Sequence, residues 1–160
     1  MSAKPPSLDA SIVFDLYQVT EITAELLGDD GVATERIKHA NLVSFICLKA
    51  FAFEQRFERK DAHDLVYCLE HAPEGLEAVG IAFRKERGGK HAAVIAASLE
   101  ILGKHFAQDG NTEGFRKDGP VALAKFELGE GNDPVQREAR AVRQRQASDL
   151  IERLLEQIGS

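Results

Sequence analysis

The sequence contains no apolar run that approaches the roughly 20 residues a membrane-spanning helix needs. Its first residues, MSAKPPSLDASIVFDLY, lack the apolar segment and cleavage site of a secretory signal peptide. Cysteine is scarce, and both cysteines, Cys47 and Cys68, lie in apolar helical runs. This predicts buried free thiols, which fit a reducing compartment. We therefore expect a cytoplasmic protein with no membrane contact.

A general excess of basic residues is also missing. The net charge is −6 and the pI is about 5.4, so no global positive field attracts nucleic acid, although a local basic patch is still compatible with these values. We find no internal repeat and no low-complexity segment. With 160 residues, of which 44% are hydrophobic and 29% charged, the chain has the composition of one globular domain.

Residues 1–40 are predicted to form an arm and a β-hairpin. The Pro5-Pro6 pair indicates a loose arm, and the segment IVFDLY after it fits a strand or a short helix. The segments VTEITAELL and VATERIKHA alternate loosely around Gly28-Asp29-Asp30-Gly31, which predicts a hairpin with a turn at its centre. Paired carboxylates could also form a magnesium loop there, but Gly and Asp are the usual turn residues.

From Asn41 onward the apolar spacing becomes helical. Pro134, preceded by Asp133 as N-cap, is predicted to open the last helix, whose apolar residues share one side; they are Val135, Ala139, Val142, Leu150, Leu154 and Ile158. The fold class is therefore mainly α (α+β), with an N-terminal β-hairpin followed by an α-helical bundle over 41–160. The predicted helices cover residues 42–56, 61–72, 74–87, 91–108, 120–128 and 134–158.

Lys49 is the residue that raises a functional question. It lies in the helix predicted over 42–56, which is apolar on nearly every side. No acidic residue stands three or four positions away to pair with it, and a buried ammonium costs several kcal/mol unless it is neutralised. A lysine on an apolar face often extends to the edge of the core. The alternative is that Lys49 meets a carboxylate of the next helix.

That helix carries Lys60, Asp61, His63 and Asp64 near its start. Asp61 is a natural N-cap and Asp64 would lie at about the third helical position, so helix capping alone explains both acids. It does not explain Lys49. We expect the Lys49 ammonium within about 4 Å of an Asp61 or Asp64 carboxylate.

The segment LKAFAFEQRFERKDAHDLVYCL resembles a motif region of nucleotidyltransferase-fold toxins of the abortive-infection type, the AbiEii-like family of bacterial toxin–antitoxin systems. The shared pattern is a lysine-bearing helix, a short arginine-containing connector and a Lys/Arg-Asp pair followed by Asp-Leu. The resemblance implies that Lys49 contacts nucleotide phosphate and that Asp61 acts with it as the second catalytic residue. Lys60 and Asp64 take the substrate-binding positions. The match covers about thirty residues.

Nucleotidyl transfer also needs carboxylates that hold Mg²⁺ against a triphosphate. The family supplies them with a Gly-Ser or Gly-Thr and an Asp-x-Asp motif, and this sequence has neither before residue 41. The resemblance therefore implies the C-terminal helical part of such a protein, inactive alone. Mg²⁺ and a nucleoside triphosphate would bind only if another half completed the site.

The alternative is a non-catalytic helical interaction module that binds a protein partner or an upstream domain. In that case Lys49 and Asp61 form a structural pair. Because Asp61 begins a helix, we expect it to be too solvated to need a buried lysine, which favours Lys49 facing a phosphate site.

Three weaker patterns have simpler explanations. His63, Cys68 and His71 do not converge on one helical face as zinc ligands would. Gly88-Gly89-Lys90 precedes a helix but lacks the Walker spacing, so a linker is favoured over a phosphate site. The last helix offers a basic patch for RNA contact, but acidic residues dilute it and favour a solvated face; the basic residues are Arg137, Arg140, Arg143 and Arg145.

Overall fold

The computed structural model describes residues 11–28 and 31–159. A short helix, α1 (Ser11–Asp15), leads into an antiparallel hairpin of β1 (Tyr17–Glu25) and β2 (Val32–Ala40). Six α-helices follow, and the predicted hairpin followed by a helical bundle is confirmed. These helices are α2 (Leu42–Arg56), α3 (Arg59–Glu70), α4 (Gly75–Glu86), α5 (Ala92–Phe106), α6 (Asp118–Leu128) and α7 (Pro134–Gly159), with a 3-10 turn at Gly114–Arg116.

Capping residues define the start of α2 and of α7. The Asn41 side chain accepts a hydrogen bond of 3.0 Å from the Ser44 amide, and the Asp133 side chain accepts one of 3.0 Å from the Gln136 amide. Each bond satisfies an amide that has no partner inside its helix. Both starts agree with the sequence prediction.

The start of α3 differs from the prediction. Phe57 ends α2 in a left-handed conformation with φ of 53°, and only Glu58 separates it from the first residue of α3. Asp61 is therefore the third residue of α3 and Asp64 the sixth. The prediction that Asp61 caps this helix is wrong, because the helix begins two residues earlier and the N-cap is Glu58.

The core lies where α2, α3, α5 and α7 meet, and α4 and α6 cover α7 and α3. Ile46, Leu65, Leu102 and Leu154 are among its fully buried side chains. Ile12 of α1 is also fully buried, so α1 is anchored in the bundle. This anchor fixes the point from which the hairpin extends.

The apolar side predicted for α7 is only half buried. Leu150, Leu154 and Ile158 lie in the core, whereas Val135 is 76% exposed and Val142 is 48% exposed. The C-terminal half of α7 thus packs into the bundle, and its N-terminal half runs along α6 with apolar side chains in contact with solvent.

The hairpin contributes no residue to the core. Every residue of β1 is exposed, and β2 has only two half-buried residues, Ala33 and Ala40. At its base the Leu16 carbonyl accepts hydrogen bonds from the Asn41 amide at 3.1 Å and from the Ser44 hydroxyl at 2.7 Å. The two ends of the hairpin are therefore adjacent, and both are tied to the start of α2.

Candidate functional site

Lys49 lies halfway along α2 and points toward α3. Its ammonium is 3.1 Å from an Asp61 oxygen and 2.7 Å from an Asp64 oxygen. The predicted contact is confirmed, and both acids take part in it. The Lys49 side chain keeps 21% of its surface exposed, so it lies at the edge of the core and not in its centre.

Asp61 is the most buried member of this group, with 3% of its side chain exposed. One of its oxygens accepts from Lys49, and the other accepts from Arg56 at 2.6 Å. The expectation that Asp61 is solvated is wrong, because the tight connection between α2 and α3 packs it between two cations of α2. Such pairing offsets the cost of removing a carboxylate from water.

Asp64 is bound by two lysines. Besides Lys49, the Lys60 ammonium lies 2.7 and 2.9 Å from its two oxygens. Burial alone would raise the pKa of Asp64, but the hydrogen bonds from Lys49 and Lys60 outweigh it and lower the pKa. For Lys49, burial alone would lower the pKa, and the bonds to Asp64 and Asp61 raise it instead.

Arg56 is the member of the site that the sequence interpretation left without a role. The sequence could have indicated Arg56, since an arginine stands in the connector just before the Lys-Asp pair. Together the five side chains form what we call the Lys49 network, which consists of Lys49, Arg56, Lys60, Asp61 and Asp64. Its cations are engaged with its carboxylates, and the most exposed members are Lys60 and Arg56, at 67% and 58% of the side chain.

A second ionic cluster joins three helices and was not foreseen. The ring of His105, 3% exposed, contacts Asp118 of α6 at 2.9 Å and Glu54 of α2 through its other nitrogen. Lys104 binds the second Glu54 oxygen at 2.7 Å. Burial alone would raise the pKa of Glu54, but the bonds from Lys104 and His105 lower it. The sequence separations of 51 and 13 residues left no local pattern to detect.

The arginines of α7 are bound within the protein. Arg143 donates to Glu127 and Glu70 at 2.6 Å each, and these bonds raise its pKa and lower that of Glu127. Arg140 donates to the carbonyls of Gly129 and Gly131. The Arg145 guanidinium lies 4.5 Å from the ring centre of Phe115. These contacts account for Arg140, Arg143 and Arg145 without RNA, and the backbone amide of Arg137 donates to the Asp133 carbonyl at 3.1 Å.

The remaining candidate ligands are engaged elsewhere. His63 lies 3.0 Å from Glu127, and His71 stacks on Tyr67 at 4.1 Å. Within residues 11–28 and 31–159, no three His, Cys, Asp or Glu side chains are arranged to hold a metal ion. Asp29 and Asp30 lie outside the described residues. Lys90, after the glycine pair, is 2.9 Å from Asp15.

The two cysteines differ in burial. Both are free thiols, Cys47 buried and Cys68 half-buried. Burial raises the pKa of Cys47 to about 11 and also raises that of Cys68. Neither is therefore an activated nucleophile.

No known protein family, curated protein or solved structure matches this chain. None of the helices in the described ranges is both long and apolar enough to cross a membrane. The relation to abortive-infection nucleotidyltransferases stays a prediction from the motif.

Proposed function

We propose that this chain is a helical protein-interaction module that presents its β-hairpin to a partner protein. The observation that carries the proposal is the exposure of β1 along its whole length. A two-stranded hairpin is marginally stable alone in water and becomes stable when a further strand or a helix packs on it. The bundle supplies no such cover in the described residues, so a partner supplies it.

The Lys49 network supports this function because its charges are compensated internally. A phosphate at the Lys49 ammonium would have to displace carboxylates that lie 2.7 and 3.1 Å away. In this proposal Lys49 joins α2 to α3 as a structural pair with Asp61 and Asp64. The network joins α3 to α2, the helix whose start is bonded to the base of the hairpin.

The test compares the whole chain with a variant in which Leu16 is joined to Asn41 by two glycines, which removes the hairpin. Both proteins carry an affinity tag and are cross-linked in cells of the source organism. A partner retained by the whole chain and lost from the variant is then purified and added back. Hydrogen exchange is expected to slow in β1 and β2 on addition.

Slowing confined to α2 and α3, or equal retention by the variant, would contradict the proposal. Circular dichroism of the variant is the control, because an unfolded bundle would also lose the partner.

A second candidate function is the helical part of a nucleotidyltransferase-like protein that is inactive alone. It is favoured by one observation, namely that the four residues implied by the resemblance meet in a single network: Lys49, Lys60, Asp61 and Asp64. Here the partner would be the half that holds Mg²⁺ and the nucleoside triphosphate. The chain alone should then transfer no nucleotide to RNA.

Thermal unfolding with millimolar pyrophosphate or Mg²⁺–nucleoside triphosphate tests this candidate. A ligand that binds only the folded protein raises the unfolding midpoint. A ligand-induced rise in the unfolding midpoint of the wild type that disappears in Lys49→Met would favour phosphate binding by Lys49. Identical responses of the two proteins would remove it.

A further inference from the structure

The two faces of the hairpin differ in the number of charged side chains that they carry. Side chains alternate between faces along each strand, and hydrogen bonds between Thr20 and His39 and between Thr23 and Thr34 fix which residues share a face. One face, here called the isoleucine face, has Glu35 as its only Asp, Glu, Lys or Arg. Its residues are Gln18, Thr20, Ile22, Ala24, Ala33, Glu35, Ile37 and His39, and the opposite face carries Glu21, Glu25, Arg36 and Lys38.

The isoleucine face carries two large apolar side chains that are exposed. Ile22 is 46% exposed and Ile37 is 44% exposed, and the register places them as diagonal neighbours across the two strands. Such neighbours are within reach of one another and can be covered by one packing element. A strand added at the edge of the hairpin would leave this face in water, whereas an element packed across it would not.

This face continues into a groove at the base of the hairpin. The groove has a volume of about 520 Å³, and the hairpin contributes Gln18 and His39 to its wall. The helices and the connection between α3 and α4 contribute mainly apolar side chains, including Leu42, Phe45, Ala72, Ala78 and Ala82. Its size lies in the range of ligand-binding pockets, about 300–1,000 Å³. Groove and isoleucine face therefore form one continuous surface, in which the polar residues Gln18 and His39 lie between the apolar wall of the groove and the two isoleucines.

From the structure we infer that this surface binds an amphipathic helix of a partner protein, with basic residues along the margins of its apolar stripe. The inference rests on the proposed interaction function and specifies its partner. The Ala24–Ala33 pair at the far end permits close approach of a helix. The six residue steps from Gln18 to Ala24 span about 20 Å of strand, which a helix of about 14 residues covers.

Charge complementarity supports the basic margins. Glu35 lies on the isoleucine face, and Glu74 lies on the rim of the groove. Both ring nitrogens of His39 already bond, one to the Thr20 hydroxyl and one to the Ala40 carbonyl. Lysines or arginines beside the apolar stripe of the helix can reach the two glutamates, while acidic residues there would be repelled.

The experiment uses a synthetic peptide of about 14 residues made of leucine and lysine, with one tryptophan in a stripe at helical spacing. Because the chain contains no tryptophan, a blue shift of the emission reports burial of the peptide alone. We expect binding to the whole chain that is at least about tenfold tighter than that of a leucine–glutamate peptide or a scrambled leucine–lysine peptide.

Matched variants locate the site. Ile22→Lys on the isoleucine face should weaken binding of the leucine–lysine peptide at least about tenfold. Val19→Lys is the control, since Val19 is 41% exposed and lies on the opposite face; it should leave binding unchanged. Ala78→Trp fills the groove without changing a residue of the hairpin, so it should abolish binding even if Ile22→Lys distorts the strands. Ala78→Trp is read by fluorescence anisotropy of a labelled peptide, because it adds a tryptophan to the chain.

Three results would overturn the inference: equal binding of all three peptides, no binding of any, or equal loss in the Val19 and Ile22 variants. If the natural partner still requires the hairpin in the cross-linking test, the interaction function stands and the helical occupant is wrong. If removal of the hairpin leaves partner capture unchanged, the interaction function itself fails.

Discussion

The bundle buries a core of large apolar side chains and pairs many of its charges within the chain, whereas the hairpin buries none of its large apolar side chains. Ile46 of α2 is fully buried, and Ile22 of β1 is 46% exposed. Asp61 of α3 is held by two cations, at 2.6 and 3.1 Å. The difference teaches that the bundle contains the buried apolar core of the fold, while the hairpin keeps its large apolar side chains exposed.

The largest expected effect is in the bundle. Asp61→Ala leaves Lys49 and Arg56 without their shared carboxylate at the edge of the core. Because Lys49 keeps Asp64 and Arg56 is 58% exposed, we expect the free energy of unfolding, measured by urea denaturation, to fall by about 2–3 kcal/mol. The matched change in the hairpin is Glu21→Ala, at an exposed position, with an expected effect within about 0.5 kcal/mol. Equal losses would contradict the contrast between the two regions.

Lys49 should matter less than Asp61, because each acid keeps another cation, Arg56 for Asp61 and Lys60 for Asp64. Lys49→Met keeps the packing and should cost about 1 kcal/mol or less. Lys49→Ala adds a cavity beside Phe45 and should cost about 2 kcal/mol. Chemical denaturation of both variants checks this order of stability. A Lys49→Met protein less stable than Lys49→Ala would be inconsistent with a structural pairing of Lys49 with Asp61 and Asp64.

The Lys49 network should also affect how the stability of the protein depends on pH in acid. The folded state lowers the pKa of Asp64 below its ordinary 3.8, so its contribution is complete above that value and is lost as the pH falls through the lower folded pKa. Lys49→Met removes one cause of the lowering. We expect its stability to decline less steeply below about pH 4 than that of the wild type. Parallel acid-unfolding curves would show that Lys49 does not bind Asp64 in solution.

Removal of the whole hairpin should have only a small effect on stability. Because the Asn41 amide is 3.1 Å from the Leu16 carbonyl, two glycines can replace residues 17–40 without moving α1 or α2. The melting temperature should change by only a few degrees, since the hairpin buries no core residue. Loss of the helical circular dichroism signal would mean that the hairpin is part of the folding unit.

The sequence predicted much of the Lys49 network because its parts are close in the chain. α2 ends at Arg56 and α3 begins at Arg59, so an unpaired lysine on the first helix can reach only a few carboxylates of the second. The sequence prediction misjudged the burial of Asp61, because that burial depends on whether α3 begins at residue 59 or at residue 61. Capping statistics favour Asp61 as an N-cap, but the left-handed Phe57 sets the start earlier.

The sequence by itself determined the hairpin and the order of the six helices after it, since apolar periodicity, the Asn41 and Asp133 caps and the turn at Gly28 act over a few residues. It left α1 open between a strand and a short helix. Tertiary structure alone decided that His105 bridges Glu54 and Asp118, that Arg143 binds Glu70 and Glu127, and that the isoleucine face meets a groove. These contacts join residues far apart in the chain. Local sequence patterns do not predict such contacts, because the contacts depend on how the completed helices pack.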